Sequence, residues 1–177
     1  MKIQLYRNFV SQLAGNQLSA SSIYQFNVQH LSYLSNLDLS SNLLSGALSP
    51  PSLDLFPPNL RALDLSLNSI SKISSHAFTS LSRLTSLSLE GNAVEKVEDE
   101  AFLGLTSLAS LDLSHNSIVT LATDSLAGLP SLKHLNLAHN HLQVVPLMRP
   151  YINCKNVPCR WFPSPWSPTP PSSPLFS

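Results

Sequence analysis

Three aspartates in equivalent settings and four histidines between residues 115 and 141 are where chemistry would first be sought in this 177-residue chain. Asp38, Asp64 and Asp112 each stand between two leucines in a Leu-Asp-Leu triplet. Carboxylates held side by side could divide the tasks of general acid and general base. However, Ser88 interrupts their column, Asn136 ends it, and no nucleophile or glycine-rich phosphate loop accompanies them. Without that constellation no catalytic residue is assigned and no enzymatic activity is expected. His115, His134, His139 and His141 form the second group, and His115 and His139 hold the same place in their surroundings. If their segments are neighbouring strands, the two lie about 4.8 Å apart. Imidazole is a common metal ligand, yet no cysteine or carboxylate completes a tetrahedral set beside them. Neither a metal nor any other cofactor is therefore expected. Cys154 and Cys159 are the only cysteines. Two do not make a disulfide framework, and a local bridge or two free thiols are equally open.

What positions these residues is an internal repeat. Leu34-Ser-Asn-Leu37-Asp-Leu39-Ser-Ser-Asn42-Leu-Leu44 returns as Leu60-Arg-Ala-Leu63-Asp-Leu65-Ser-Leu-Asn68-Ser-Ile70. Three further copies carry Asn92, Asn116 and Asn140, so the asparagines are spaced by 26 residues and then by 24, 24 and 24. A degraded sixth copy ends at Leu13-Ala-Gly-Asn16-Gln-Leu18, with Asn8 and Ser11 in place of leucines. The Leu-x-Leu core has period two and predicts a short strand with one face buried. One such unit cannot bury that face alone; stacked neighbours make a parallel sheet and a continuous core. Asparagine both donates and accepts, so Asn42, Asn68, Asn92, Asn116 and Asn140 are predicted to form a buried ladder bonding backbone groups at the bend. Phe78, Phe102 and Leu126, then Leu81, Leu105 and Leu129, with Ile73, Val97, Leu121 and Val145, predict a second core layer on the opposite side. The stretch between Asn42 and Asn68 carries Pro50, Pro51, Pro57 and Pro58, and predicts an irregular loop without a helix.

Five in-register copies of LxxLxLxxNxL resemble the leucine-rich repeat family over about residues 8 to 146. That resemblance implies an α/β solenoid, a horseshoe with a parallel concave sheet of five to six short strands and an irregular convex side. The phrases His-Ala-Phe-Thr-Ser-Leu (76–81) and Glu-Ala-Phe-Leu-Gly-Leu (100–105) look like the 24-residue class of animal extracellular proteins, such as Toll-like receptors, Slit proteins and small proteoglycans. The class implies a protein-binding module of a secreted or cell-surface recognition protein. The start, MKIQLYRNFV, lacks the apolar core of a secretory signal, and no N-terminal cysteine cap or Asn-x-Ser/Thr sequon is present. The expected reconciliation is that the chain is a fragment of a longer protein. The alternatives are an intracellular adaptor and a structural spacer.

Composition narrows the partners. Ten basic residues balance ten acidic ones, so no basic footprint for nucleic acid is present. No stretch approaches the length of a transmembrane helix. Another protein is the expected partner, bound on the concave face by the variable positions of the motif. These are Arg61, Asp64, Leu67, Thr85, Ser88, Glu90, Ala109, Asp112, His115, Lys133, His134, Asn136 and His139. Ser114 is read as an exposed residue of the same turn. Five or six strands give a sheet roughly 25–30 Å wide and a footprint of about 350 Å². A standard partner surface is about 800 Å², so the flanks or further repeats must contribute.

Two domains of unequal kind are expected: a solenoid over 1–146 and a Pro-rich, disordered tail over 147–177. Nine of the 14 prolines and both tryptophans lie beyond residue 145. Proline removes the donor that each strand needs.

Overall fold

The structure is a computed structural model and describes residues 10–19, 31–54, 56–121, 124–126, 128–142 and 153–155. The first leucine of each Leu-x-Leu segment is the middle residue of a three-residue strand, and the second follows the strand directly. The strands are β1 (Val10–Gln12), β2 (Asn36–Asp38), β4 (Ala62–Asp64), β6 (Ser86–Ser88), β8 (Ser110–Asp112), β10 (His134–Asn136) and β11 (Asn153–Lys155). All pair in parallel in the order β1-β2-β4-β6-β8-β10-β11. The central leucines Leu37, Leu63, Leu87, Leu111 and Leu135 stand in one register column and are buried.

Two of these strands extend the sheet past the five clear copies. The degraded copy supplies β1, with Ser11 in register with Leu37. At the other end Cys154 stands in register with Leu135, so the sheet runs beyond the boundary expected at 146. Residues 156–177, with Cys159 and the prolines, lie outside the described residues, as does Val145.

A second parallel sheet follows the asparagines, in the order β3 (Ser45–Leu48), β5 (Ser69–Ile73), β7 (Lys96–Val97) and β9 (Thr120–Leu121). The convex side thus carries short paired strands after Asn42, Asn68, Asn92 and Asn116, with irregular chain between them. Ile73, Val97 and Leu121 are buried along it, above Phe78 and Phe102, whose rings stack at 5.6 Å. Leu81, Leu105 and Leu129 are buried beside them, and Leu126 is partly buried.

The proline-rich stretch after Asn42 also differs from the expectation of a loop without a helix. It holds β3 and then one helical turn, α1 (Pro50–Leu53), closed by the Asp54 N–H donating to the Pro50 carbonyl at 3.1 Å. The prolines Pro50 and Pro51 fill the first positions of the helix. There the missing N–H has no intrahelical partner to lose and the fixed φ already suits the turn. Against β5 the register shifts between Gly46 and Ala47, which pair with Ile70 and Lys72 and leave Ser71 of β5 without a partner position.

Glycine sets how closely the turns approach on the convex side. A Cβ on Gly128 would lie 2.6 Å from Leu103 Cα, and one on Gly104 would lie 2.8 Å from Thr79 Cα.

Candidate functional site: the concave face

The concave face is positioned by the asparagine ladder at its edge. In each turn the asparagine Oδ1 accepts from a backbone N–H of the preceding turn: Leu18, Leu44, Ile70, Val94 and Ile118, all between 2.9 and 3.0 Å. The Nδ2 of the same residue donates to a carbonyl of the preceding turn and to two of its own. Asn116, for example, reaches Leu89 at 2.9 Å, Leu113 at 3.1 Å and Ser114 at 3.1 Å. Each leucine carbonyl at this bend from Leu13 to Leu113 therefore receives two asparagines, its own and the next, and Leu137 receives Asn140. Asn42, Asn68, Asn92 and Asn116 are buried; Asn140, the last, is half-buried.

The residue before each asparagine has a left-handed backbone. Gly15, Ser41, Leu67, Gly91, His115 and His139 have φ between 53° and 67°. The N–H of each of the first five donates to a carbonyl of the following turn, from Gly15 to Ser40 at 3.0 Å through His115 to Ala138 at 2.9 Å. The conformation belongs to the bend and is imposed whatever the residue. Glycine tolerates it freely, histidine is found there more often than most residues, and a bulky side chain rarely is. Leu67 is 58% exposed yet held in this strained state. Its side chain leans across Gly91, where an added Cβ would meet Leu67 Cδ2 at 2.7 Å. On the other side of Gly91, the imidazoles of His115 and His139 stack with centroids 4.2 Å apart and planes 18° apart.

The aspartate column has a structural task that the sequence reading did not see. Asp38, Asp64 and Asp112 are half-buried, and each Oδ1 accepts the N–H two residues on, at 2.9 to 3.0 Å. Ser40 and Ser114 add their hydroxyls at 2.7 and 2.6 Å. Asn136 makes the same bond to the Ala138 N–H and also donates to Asp112 Oδ2 at 3.0 Å. Short polar side chains that bond their own backbone two residues on stabilise turns. These carboxylates therefore brace the exit from the strand. Ser114, read from sequence as exposed, is 2% exposed, because its hydroxyl points back to Asp112. Ser66 and Ala138 are buried at the same position, Ser40 is half-buried, and only Glu90 and Ala14 of the first turn are exposed there.

The remaining expected positions are surface positions. Arg61, Thr85, Lys133 and His134 are exposed, and Ala109 and Ser88 are half-buried. The Thr85 hydroxyl is already committed to the Arg61 carbonyl at 2.8 Å. Among the described residues, four exposed apolar side chains escaped the sequence reading: Tyr33 at 79%, Leu43 at 56%, Val119 at 46% and Leu103 at 38%. Leu43 follows Asn42 directly, a place the motif leaves open. Among the described residues, no group of three or more histidine, cysteine or carboxylate side chains is arranged to hold a metal ion, and no helix is long and apolar enough to cross a membrane.

Comparison with known proteins gives a consistent picture. A family profile described as "Leucine rich repeat" matches residues 54–94 and 82–142. The leucine-rich repeat domain of APL1B superposes with a TM-score of 0.64 at 27% identity, over 78% of this chain and 39% of that one. TLR13, solved with single-stranded RNA, gives 0.62 at 26% identity, over 76% of this chain and 22% of its own. The Arabidopsis receptor kinase HAESA, solved with the peptide hormone IDA and the co-receptor SERK1, gives 0.61 at 27%, over 77% and 23%. The chain thus spans between 22% and 39% of the length of these proteins. No curated protein sequence matches it. The TLR13 complex also corrects the exclusion of nucleic acid drawn from net charge: a protein of this fold holds RNA.

Proposed function

This chain belongs to the leucine-rich repeat family, and on that premise we propose that it is a protein-binding module, with the concave face as docking surface, in a secreted or cell-surface recognition protein. One observation carries the reading. Inward positions repeat from turn to turn as leucine and asparagine, while the exposed positions of the same strands and bends change. The central turns present Arg61 and Leu67, then Thr85 and Glu90, then His115, then Lys133, His134 and His139. A spacer needs the first pattern and has no use for the second. Binding energy concentrates in a few central residues, and Leu67, Glu90 and His115 lie on the central turns of the described sheet.

The family is one of generally non-catalytic binding modules, and the braced aspartates of this chain fit that use. Around them, Asp38, Asp64, Glu90 and Asp112 outnumber Arg61 and Lys133. Those side chains leave the face net acidic at neutral pH. The peptide hormone held by HAESA supports a protein or peptide partner outside the cell.

The test is selective loss. The wild-type chain, a Glu90→Lys/Lys133→Glu variant and the convex control Lys96→Glu are immobilised and exposed to extracellular extract. A partner retained by wild type and control and lost by the concave variant is expected. Equal retention by all three would refute the docking surface, and loss of nothing but nonspecific binders would leave the spacer reading in its place.

A further inference from the structure

Four of the six histidines in the sequence fall between residues 115 and 141. All four, His115, His134, His139 and His141, are exposed. They sit on the fifth and sixth turns: His134 opens β10, His139 holds the left-handed bend, His141 follows Asn140, and His115 stacks on His139 from the turn before. We propose that this strip is a proton-gated docking site for an acidic protein segment. The proposal rests on the concave-face reading and specifies the chemistry of its partner.

Histidine is the side chain whose charge ordinarily changes between pH 5 and 8. The charged groups around the strip are few. Glu90 faces it from the fourth turn, Asp112 lies on β8 beneath it, and Lys133 precedes β10. On β11, Lys155 stands in register with Asn136. Asp112 is occupied by the Ser114 N–H and hydroxyl and by Asn136, so it is not aimed at the imidazoles. With the imidazoles neutral, Glu90 and Asp112 are balanced by Lys133 and Lys155; four protonated imidazoles would add four positive charges to that neutral surface. Two positive charges on rings stacked 4.2 Å apart would repel, and an anion lying across His115 and His139 offsets that repulsion, so its binding and the protonation of the pair favour one another.

The shape selects a protein segment over a nucleic acid. The strip is two turns wide: His134 opens the three-residue β10, His139 stacks on His115 at the bend that follows, and His141 lies just past Asn140, its N–H on the Ile118 carbonyl. A long polyanion crossing the sheet would run onto Glu90, Asp64 and Asp38. A short run of carboxylates lying along the strand would not. Backbone geometry holds the site ready, because the His115 N–H is tied to the Ala138 carbonyl at 2.9 Å.

The probe is a glutamate octapeptide, titrated against the full chain at pH 5.5 and pH 7.5, with a single-stranded oligonucleotide of equal charge as competitor. Affinity about tenfold or more higher at pH 5.5 is expected, falling with salt. A variant with His115→Asn, His139→Asn, His134→Gln and His141→Gln should lose that gain. Asparagine is used at the two bends because it accepts the left-handed backbone, and equal thermal melts would show that the variant folds. His76→Gln, on the convex side, should retain the gain. No pH dependence, or a pH dependence that survives the variant, would overturn the proposal, as would tighter binding of the oligonucleotide. If gating fails while the Glu90→Lys/Lys133→Glu variant still loses an extracellular partner at neutral pH, only the gating is wrong and the docking surface stands.

Discussion

Replacing Asn116 by alanine removes four hydrogen bonds, and the structure shows that they are unequal. The carbonyls of Leu89, Leu113 and Ser114 each keep another donor: Asn92 Nδ2 at 3.1 Å, Asn140 Nδ2 at 2.8 Å and the Gly91 N–H at 3.0 Å. Only the Val94 N–H, bound to Asn116 Oδ1 at 2.9 Å, loses its partner in a buried setting. One orphaned buried donor costs about 1–3 kcal/mol, and the lost bonds to the shared carbonyls add a few tenths to about 1 kcal/mol. Asn116→Ala is therefore expected to cost about 2–3 kcal/mol. Asn140→Ala orphans the Ile118 N–H in the same way, but that site is half-buried, so water can replace the side chain and the cost should be about 1 kcal/mol. Ser107→Ala, exposed on the opposite loop, should be neutral within about 0.5 kcal/mol. Asn116→Asp separates accepting from donating. A carboxylate keeps the Val94 bond but turns a negative oxygen toward the three carbonyls. It should be worse than alanine at neutral pH and recover as falling pH protonates it, since its folded pKa must lie above the unfolded value. Urea denaturation followed by circular dichroism gives the order directly. Equal costs at Asn116 and Ser107, or a larger cost at Asn140 than at Asn116, would refute the shared-carbonyl reasoning.

Other expectations follow from particular contacts. Gly128→Ala places a Cβ 2.6 Å from the Leu103 backbone, which cannot swing aside, and should cost about 1–3 kcal/mol in a denaturant melt; Gly91→Ala meets only the movable end of Leu67, but alanine must adopt the left-handed backbone there, at a cost of about 1–2 kcal/mol. A chain ending at Leu147 loses β11 and bares the edge of β10; its thermal midpoint should fall by the equivalent of on the order of 2 kcal/mol, and an unchanged midpoint would show that the seventh strand contributes nothing. Glu98 is held below the ordinary glutamate value of 4.5 by its bond from Lys72 at 2.7 Å and by the Ser75 N–H at 3.0 Å. Its contribution is complete above that ordinary value and lost as pH falls through the depressed one. Glu98→Gln should accordingly narrow the gap between melts at pH 7 and in strong acid, and should leave their difference between pH 7 and pH 6 unchanged.

Much of this architecture was legible because burial in a stacked strand leaves a period. Leu37, Leu63, Leu87, Leu111 and Leu135 had to face inward, and the asparagines had to sit at the bends, for reasons any single repeat displays. What escaped was decided by contacts between turns or by backbone economy. The second sheet has strands as short as Lys96–Val97, and two residues carry no period. The helical turn at Pro50–Leu53 defeats a rule that treats proline as a breaker, because the rule applies to helix interiors and these prolines stand at the start. The strand at Asn153–Lys155 contains no leucine at all; it joins the sheet by pairing its backbone with β10, which the composition of the tail does not advertise.

The concave face was legible as a set of positions but not as a set of roles. Two of its columns, the aspartates and the residues before the asparagines, are constrained by the bend, so their recurrence reflects turn geometry before it reflects any ligand. This sharpens what counts as a binding residue here. Asp64 and Asp112 are accounted for by the N–H groups that they accept. Glycine at 15 and 91 and histidine at 115 and 139 suit a left-handed backbone. Leucine at 67 does not, and a left-handed bulky residue costs about 1–2 kcal/mol. Glu90 likewise stands where its neighbours in the column are small and mostly buried. The residues that geometry fails to explain, Leu67 and Glu90, are therefore the ones whose presence a partner must explain. Leu67→Gly puts the point to measurement. It relieves the strained φ, gives up a side chain that is 58% exposed, and should leave stability unchanged or raise it by up to about 1 kcal/mol. The same substitution should weaken capture of the concave-face partner. Loss of stability without loss of capture would make Leu67 a packing residue over Gly91 and nothing more.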